Sequence, residues 1–208
     1  MRVWSYVISI DSGSAPNFDP PAVTLVVCKP RIRQKAVTGD LVLAFNGMRL
    51  AANPNSLRWA GIVGRVIPME RYWRDSSFRA KRPGHSPTPD NFYRLSGADW
   101  TQMPNTTHNE NDIKRDLSGK NALIFKRAWY FGHTVPELPN VFDLRVTARR
   151  TEPLRNIGEG EWLELRAWLD AHDIGLPQVS HTSGPVSRCS VKLANKCGGQ
   201  APRATFRC

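Results

Sequence analysis

Alternating apolar and polar side chains are clearest at the start of the chain. Residues 3–10 read VWSYVISI, so Trp4, Tyr6 and Ile8 share one face of an extended segment. Later apolar runs rich in β-branched and aromatic residues predict further short strands. These runs are Val23–Cys28, Asp40–Phe45, Trp59–Val66, Ala122–Phe125, Trp129–Phe131 and Phe142–Val146. The pattern predicts a small, strongly bent or closed sheet.

One helix is predicted near the end of the chain, over Glu159 to Asp173. Trp162, Leu165 and Leu169 recur at helical spacing, and Gly175 supplies a stop. This apolar stripe predicts that the helix docks on the sheet. From Leu176 onward scattered hydrophobic residues among Ser, Gly, Pro, Lys and Arg predict a flexible basic tail.

A long polar insertion lies between Arg71 and Leu117. It contains several prolines and glycines and no clear periodicity, but it also carries six Tyr, Trp and Phe side chains. A solvated linker rarely holds so many aromatic residues. We therefore expect an ordered, functional loop.

The net charge of the chain bears on its binding partner and not on its fold. The chain of 208 residues has 29 Lys and Arg against 18 Asp and Glu, a formal net charge of +11. Residues 29–35 hold Lys29, Arg31, Arg33 and Lys35 without an acidic residue. In an extended segment this spacing of two presents them on one face, as a set of cations suited to a phosphate backbone. The alternative is an edge strand kept soluble by charge.

No apolar run is long enough to cross a bilayer, and the start MRVWSYVISID lacks a secretory signal pattern. These observations predict a cytoplasmic protein. Three cysteines in the last 33 residues and His181 have no close ligand pair of the zinc-site kind, so neither a metal nor a cofactor is predicted.

Catalytic motifs are weak in this sequence. Asp11, Asp40, Asp90 and His108 are candidate acid or base groups, with Asp116 and His133 as further possibilities. No spacing links them into a mechanism, and His108 in NTTHNE has the surroundings of a loop histidine. Convergence of two carboxylates, or of Asp with His, in the folded protein would favour an enzyme.

Several longer motifs occur in a fixed order between residues 4 and 139. They read SYVISIDSGSAPN, TLVVCKPRIRQKAVTGDLVLAF, YWRDSSFRAKRP, DNFYR and AWYFGHTVPELP. Together they resemble the bacterial and phage nucleotide-modification-associated domain proteins. The resemblance implies an association with modified nucleotides in DNA. The segments GDLVLAF and AGIVGRV are also similar to PUA-like barrels of the EVE and ASCH type, which hold modified or flipped bases.

These observations predict an α+β fold: a PUA-like small mixed β-barrel with a long loop insertion and a C-terminal helix. The predicted divisions are a nucleotide-modification-associated domain at 1–148, a docked helix at 149–175 and a flexible basic tail at 176–208. A Rossmann fold is disfavoured, because alternating helices and a glycine-rich phosphate loop are missing from the sequence.

The predicted function is binding of nucleic acid, DNA with modified bases, through recognition of a modified or flipped base. Phosphates are expected to contact Lys29, Arg31, Arg33, Arg79, Lys81 and Arg82. The base pocket is expected to use Asp11, Asn17, Tyr72, Trp73, Tyr93 and Tyr130. One alternative is an enzyme acting on modified nucleotides or DNA bases, with Asp11, Asp40, Asp90 or His108 as acid or base. Another is a module whose basic face binds an acidic protein.

Overall fold

The computed structural model describes residues 1–47, 50, 56–132, 137–144 and 153–177. In chain order its strands are β1 Arg2–Ile8, β2 Thr24–Leu25, β3 Leu41–Asn46, β4 Leu57–Pro68, β5 Tyr93–Ser96, β6 Asp99–Gln102, β7 Asn121–Tyr130 and β8 Arg155–Asn156. Six of them form a mixed sheet in the order β2-β7-β4-β3-β1-β8, and β5 pairs with β6 separately. Within the mixed sheet β1 is parallel to β3, and the other pairs are antiparallel.

Short helices connect these strands. The α-helices are α1 Pro30–Lys35, α2 Met69–Arg74, α3 Ile113–Leu117 and α4 Glu159–His172, and 3-10 turns cover Ser76–Lys81, Glu110–Asp112 and Asn140–Phe142. The helix predicted from Glu159 is confirmed as α4. Acidic residues in its first turn favour the positive end of the helix dipole.

The sheet is covered on both faces. On one face Leu165 and Leu169 of α4, both fully buried, pack with core residues such as Leu43 and Trp129. This confirms that the predicted apolar stripe docks on the sheet. On the other face Ile32 of α1 joins a second core cluster. Burial on both faces explains why β3 is apolar at nearly every position.

The insertion between Arg71 and Leu117 is ordered, as its aromatic content predicted. It contains the β5–β6 hairpin and short helical turns, and its side chains Phe78 and Phe92 lie in a third core cluster with Tyr72. The insertion therefore forms a structural layer at one end of the sheet.

The predicted closed barrel is wrong. In the described residues the sheet is open, because the edge strands β2 and β8 do not pair with each other. Each edge strand is only two residues long. A closed barrel needs continuous pairing around the sheet, which these short edges do not provide.

The extended basic segment predicted for residues 29–35 is also wrong. Pro30 begins α1, where its missing N–H and fixed φ are compatible with the first turn of a helix. The preceding residues Cys28 and Lys29 have φ of 57° and 41° and turn the chain sharply. Because the segment is helical, its basic side chains point in different directions and do not share one face.

Other predicted strands change in extent. Strand Val23–Cys28 shrinks to Thr24–Leu25, and the two runs from Ala122 to Phe131 merge into the single strand β7. Phe142 ends a 3-10 turn, so the predicted strand does not begin there, and residues 145–146 lie outside the described part. The tail after Pro177, with His181 and the three tail cysteines, also lies outside it. No described helix is both long enough and apolar enough to span a membrane.

Candidate functional site

Cys28 lies in the sharp turn between strand β2 and helix α1. Both Cys28 and Lys29 have left-handed backbone conformations, with φ of 57° and 41°. For residues other than glycine such a conformation costs about 1–3 kcal/mol and persists only where surrounding contacts hold it. Here the Cys28 N–H donates to Asp116 Oδ1 at 3.0 Å, and Arg33 Nε donates to the Cys28 carbonyl oxygen at 2.8 Å. The turn thus presents a cysteine side chain in a fixed place.

The Cys28 thiol, the His108 imidazole and the Asp116 carboxylate form a hydrogen-bonded relay. Cys28 Sγ is 3.3 Å from His108 Nε2, and His108 Nδ1 is 2.5 Å from Asp116 Oδ2. All three residues are buried, with 3%, 7% and 0% of their surface exposed. Because a carboxylate only accepts hydrogen bonds, Nδ1 carries the proton and Nε2 is left to exchange a proton with the sulfur.

Asp116 is held by four donors. Cys28 N–H and Arg115 Nε donate to Oδ1, while Tyr93 Oη and His108 Nδ1 donate to Oδ2. Burial raises the pKa of Asp116, but the hydrogen bond and charge of His108 and the Tyr93 hydroxyl outweigh it, so the net shift is downward. The carboxylate therefore stays ionised and orients the imidazole.

A buried cation lies beside this relay. Arg33 is 0% exposed and donates from Nη1 to the Asn121 carbonyl oxygen and from Nη2 to that of Asp116. Burial lowers the pKa of Arg33 to about 10, opposed by the nearby Asp116 and Cys28, so it remains protonated at neutral pH. Arg33 interacts electrostatically with Cys28, and a cation near a thiol in general favours the thiolate form. Gly119 leaves room for it, since a Cβ there would lie 2.3 Å from the guanidinium.

A cavity of about 350 Å³ opens next to the imidazole. Its wall includes Ile10, Ser12, His108 and Asp112, with the polar segment 105–109 along one side. His108 is among the residues that line this cavity and Cys28 is not, while Cys28 Sγ contacts His108 Nε2. A substrate in the cavity would meet His108 first.

The same three side chains could in principle hold a metal ion, since one ligand atom from each lies within 4.8 Å of the others. The hydrogen bonds favour a relay instead. Both imidazole nitrogens and both carboxylate oxygens already have partners within the protein. A metal ion would have to displace these contacts, whereas a metal site normally leaves its ligands turned toward one point.

The residues predicted to contact phosphate do not form one surface. Arg33 and Lys81 are fully buried, so phosphate contacts from them are corrected to internal hydrogen bonds. Lys29 is half-buried, with Nζ donating to the Val7 carbonyl oxygen at 3.1 Å. Arg31 and Arg79 are exposed. Arg82 packs on the Trp73 ring, with Cζ 3.6 Å from its centroid.

Two of the residues predicted to line a base pocket belong to a second buried polar cluster, which we call the Lys81 cluster. Its members are Asn17, Thr24, Tyr72, Lys81 and Asp90. Lys81 Nζ donates to Asn17 Oδ1 and to Thr24 Oγ1, and Asp90 accepts from Thr24 Oγ1 at 2.5 Å and Tyr72 Oη at 2.7 Å. Every member is buried, so Asn17 and Tyr72 cannot contact a base here.

The other predicted pocket residues lie in three places. Tyr93 is buried and donates to Asp116 in the relay. Trp73 is half-buried under Arg82. Asp11 and Tyr130 are brought together, since both line a cavity of about 260 Å³ next to the first one. Of the six residues predicted for the base pocket, Asp11 and Tyr130 are the two that line this cavity.

Comparison of the chain with known families identifies what kind of protein carries this relay. A sequence model of the family described as nucleotide modification associated domain 2 matches residues 1–184. The chain belongs to that family. This confirms the resemblance drawn from the motifs. The same comparisons found no match to the chain among curated proteins or solved structures.

In this nucleotide modification associated domain, sequence reasoning missed the most ordered chemistry. His108 and Asp116 were considered as separate candidates, and Cys28 was treated as part of a strand. The signal was faint, because 80 and 88 residues separate Cys28 from its two partners. A cysteine followed by Lys-Pro at the end of an apolar run does indicate a turn, since proline favours the first turn of a helix. No sequence feature near Cys28 indicates that His108 and Asp116 are its partners.

Proposed function

We propose that this domain is a thiol-dependent enzyme that acts on a nucleotide or on a base within nucleic acid. The observation that carries the proposal is the contact of Cys28 Sγ with His108 Nε2 together with the contact of His108 Nδ1 with Asp116. This arrangement supports nucleophilic catalysis, because the imidazole takes the thiol proton and the carboxylate orients and stabilises the charged imidazole. Family membership supplies the nucleotide context.

The relay suits attack on a carbonyl carbon, such as an amide carried by a modified base. Cys28 Sγ would bond to the carbon while its proton passes to His108 Nε2. The C–N bond would then break as His108 returns the proton to the departing amine, leaving a thioester. Water would next attack the thioester, giving its proton to His108, and the C–S bond would break to release an acid and the thiol.

Access to the sulfur requires a local movement. The segment 105–109, with His108, lines the cavity, whereas the buried Cys28 does not line it. The Asn105 side chain holds this segment by accepting from the N–H groups of Thr107 and His108. Opening of this turn would expose the sulfur to the cavity, which is consistent with the placement of active sites under short polar loops.

Alkylation with iodoacetamide tests the nucleophile directly. Labelling at pH 7, followed by peptide mass spectrometry, should show Cys28 reacting faster than Cys189, Cys197 and Cys208, which serve as internal controls. His108→Asn should slow labelling of Cys28 at least tenfold, because the proton acceptor is lost, and leave the tail cysteines unchanged. Cys28 that reacts only after denaturation would overturn the proposal. Stoichiometric metal in the purified protein, lost in Cys28→Ala, would also overturn it.

Nucleic-acid binding is a second candidate function, favoured by one surface feature. Arg82 stacks on the half-buried Trp73. Burial lowers the pKa of Arg82, and the charge of the exposed Arg79 lowers it further, so the two arginines are close. A ring with clustered arginines can stack a base and contact phosphates. On this basis we keep Arg79 and Arg82 as phosphate contacts and Trp73 as a stacking residue, and we add Arg31 because it is exposed.

The salt dependence of DNA binding tests this second candidate. Replacing Arg31 and Arg79 with Ala should flatten the plot of log affinity against log salt by about 0.7–0.9 per lost phosphate contact. Lys126→Ala, an exposed cation on β7, is the matched control. An unchanged slope in the double variant would remove these arginines from the interface.

A further inference from the structure

Arg58 is a buried cation that the relay does not use. It lies in β4 where the pairing with β3 shifts, since Ala44 faces Trp59 and Phe45 faces Leu57. Arg58 is thus an extra residue on one strand, and such a bulge redirects the side chain. The side chain is 1% exposed, yet Nε, Nη1 and Nη2 make no hydrogen bond to the residues that the structure describes.

A buried guanidinium without hydrogen bonds is costly. Each unsatisfied buried polar group costs about 1–3 kcal/mol, and more when it is charged. The one compensation is an ion pair, in which Arg58 Nη2 is 3.0 Å from Asp11 Oδ2. Asp11 is the more accessible partner, with its side chain 22% exposed. Asp11 can therefore turn toward water, while Arg58 cannot.

The cavity of about 260 Å³ lies next to this pair. Asp11, Phe18 and Tyr130 line it, and the Phe18 and Tyr130 rings meet edge to face with centroids 5.1 Å apart. Burial raises the pKa of Tyr130, and Asp11 raises it further while Arg58 opposes the rise, so both charges act on this hydroxyl. The Tyr130 hydroxyl stays protonated and can donate. The cavity thus combines an aromatic wall with the Tyr130 hydroxyl, and Asp11 in its wall connects it to the buried Arg58.

This cavity and the one beside His108 are neighbours. Ser12 lines both of them. A ligand anchored near Arg58 could therefore extend past Ser12 toward the relay.

We propose that Arg58 binds a phosphate group in this cavity, replacing its ion pair with Asp11, while the attached nucleoside contacts Phe18 and Tyr130. The planar guanidinium matches a phosphate through parallel hydrogen bonds, which satisfies the donors that the protein leaves without partners. The inference deepens the proposed function, since it rests on a nucleotide substrate, and it assigns the group that would anchor this substrate. The phosphate belongs either to a free nucleotide or to a nucleic-acid strand.

Calorimetric titration of the Cys28→Ala protein tests the site without turnover. Its arms are deoxyadenosine 5′-monophosphate, deoxyadenosine, inorganic phosphate and a short single-stranded oligonucleotide. The monophosphate should bind at least tenfold more tightly than the nucleoside, and Arg58→Met should abolish this difference. Arg94→Met, at an exposed cation on β5, is the matched control and should leave it intact. Tighter binding of the oligonucleotide, with the same dependence on Arg58, would identify a strand as the source of the phosphate.

Asp11→Asn provides an independent measurement with the opposite sign. Removing the competing carboxylate should strengthen monophosphate binding severalfold, and this variant keeps Arg58 in place if Arg58→Met does not fold. Equal affinities for nucleotide and nucleoside, or unchanged monophosphate affinity in Asp11→Asn, would overturn the phosphate site. A site that binds the monophosphate in a protein whose Cys28 is inert would refute the thiol enzyme alone.

Discussion

Two buried polar clusters contain side chains of the insertion, and they differ in how their groups are used. In the Lys81 cluster a cation, a carboxyl group, an amide and two hydroxyls bond to one another, and all are buried. In the relay the charged groups end at a cysteine thiol on a left-handed turn, beside a cavity. Burial and hydrogen bonding are common to both clusters. The strained nucleophile and the neighbouring cavity are features of the relay alone.

This difference shows why a buried charge is weak support for function by itself. Burial raises the pKa of Asp90 and lowers that of Lys81, although each opposes the shift of the other. Such perturbed groups also occur in structural networks. The relay carries a functional hypothesis because its partners leave one reactive atom at the end of a proton path. The Lys81 cluster fixes Asn17 and Thr24 against the insertion instead.

The largest expected contrast is in stability. Lys81→Met removes the cation of its cluster and leaves the Asp90 carboxyl and the Asn17 carbonyl oxygen without it. Removing one member of a buried charged network typically costs about 3–5 kcal/mol. Cys28→Ala removes one small side chain and should cost about 1 kcal/mol. Urea unfolding of both variants measures the difference, and equal losses would contradict the assignment of a structural role to the Lys81 cluster alone.

The next contrast is in pH dependence. The folded-state pKa of Asp116 lies below its ordinary value of 3.8, so its stabilising effect is complete above that value and is lost as pH falls through the folded pKa. The folded-state pKa of Asp90 lies above 3.8, so its stabilising effect is complete below that value and is lost as pH rises through the folded pKa. As pH rises, the contributions of the two carboxyl groups to the free energy of unfolding should therefore change in opposite directions.

Comparison of Asp116→Asn and Asp90→Asn with the unmodified protein measures these slopes, because asparagine approximates the protonated carboxyl. Each substitution is expected to change the free energy of unfolding by about 1–3 kcal/mol. The loss in Asp116→Asn should grow as pH rises from 3 to 5, while that in Asp90→Asn should shrink. Asp75→Asn, at a surface carboxyl whose pKa is lowered by Ser77, is a control without burial. Parallel slopes in the two buried variants would contradict the assigned ionisation states.

The fold was predictable where one local pattern decides it. Alternation identified β1, apolar runs identified β3 and β4, and helical spacing identified α4. The aromatic residues of the insertion correctly indicated an ordered segment. Whether the sheet closes into a barrel was not predictable, because closure depends on the pairing of two edge strands that are only two residues long. Local periodicity carries little information about such short edges.

The candidate site was less predictable, because its chemistry is entirely long-range. Counting cations in residues 29–35 could not show that Arg33 turns inward to the Cys28 carbonyl oxygen. Tyr72 and Tyr93 also differ only through their partners, Asp90 and Asp116. Sequence reasoning placed both tyrosines in one base pocket. The structure assigns them to separate clusters, because the Tyr72 hydroxyl contacts Asp90 and the Tyr93 hydroxyl contacts Asp116.

These two tyrosines give the smallest and most closely matched contrast. Tyr72→Phe and Tyr93→Phe each remove one hydroxyl that donates to a buried carboxyl group, at 2.7 Å and 2.8 Å. Each should lower the free energy of unfolding by about 1–2 kcal/mol in urea. Only Tyr93→Phe should alter the rate at which iodoacetamide labels Cys28, because Tyr93 shares Asp116 Oδ2 with His108. With one donor lost, Asp116 bonds more strongly to the charged imidazole, so labelling at pH 7 should quicken by about two- to fivefold, a shift below 1.4 kcal/mol. An equal change in Tyr72→Phe would mean that labelling reports general loosening of the fold.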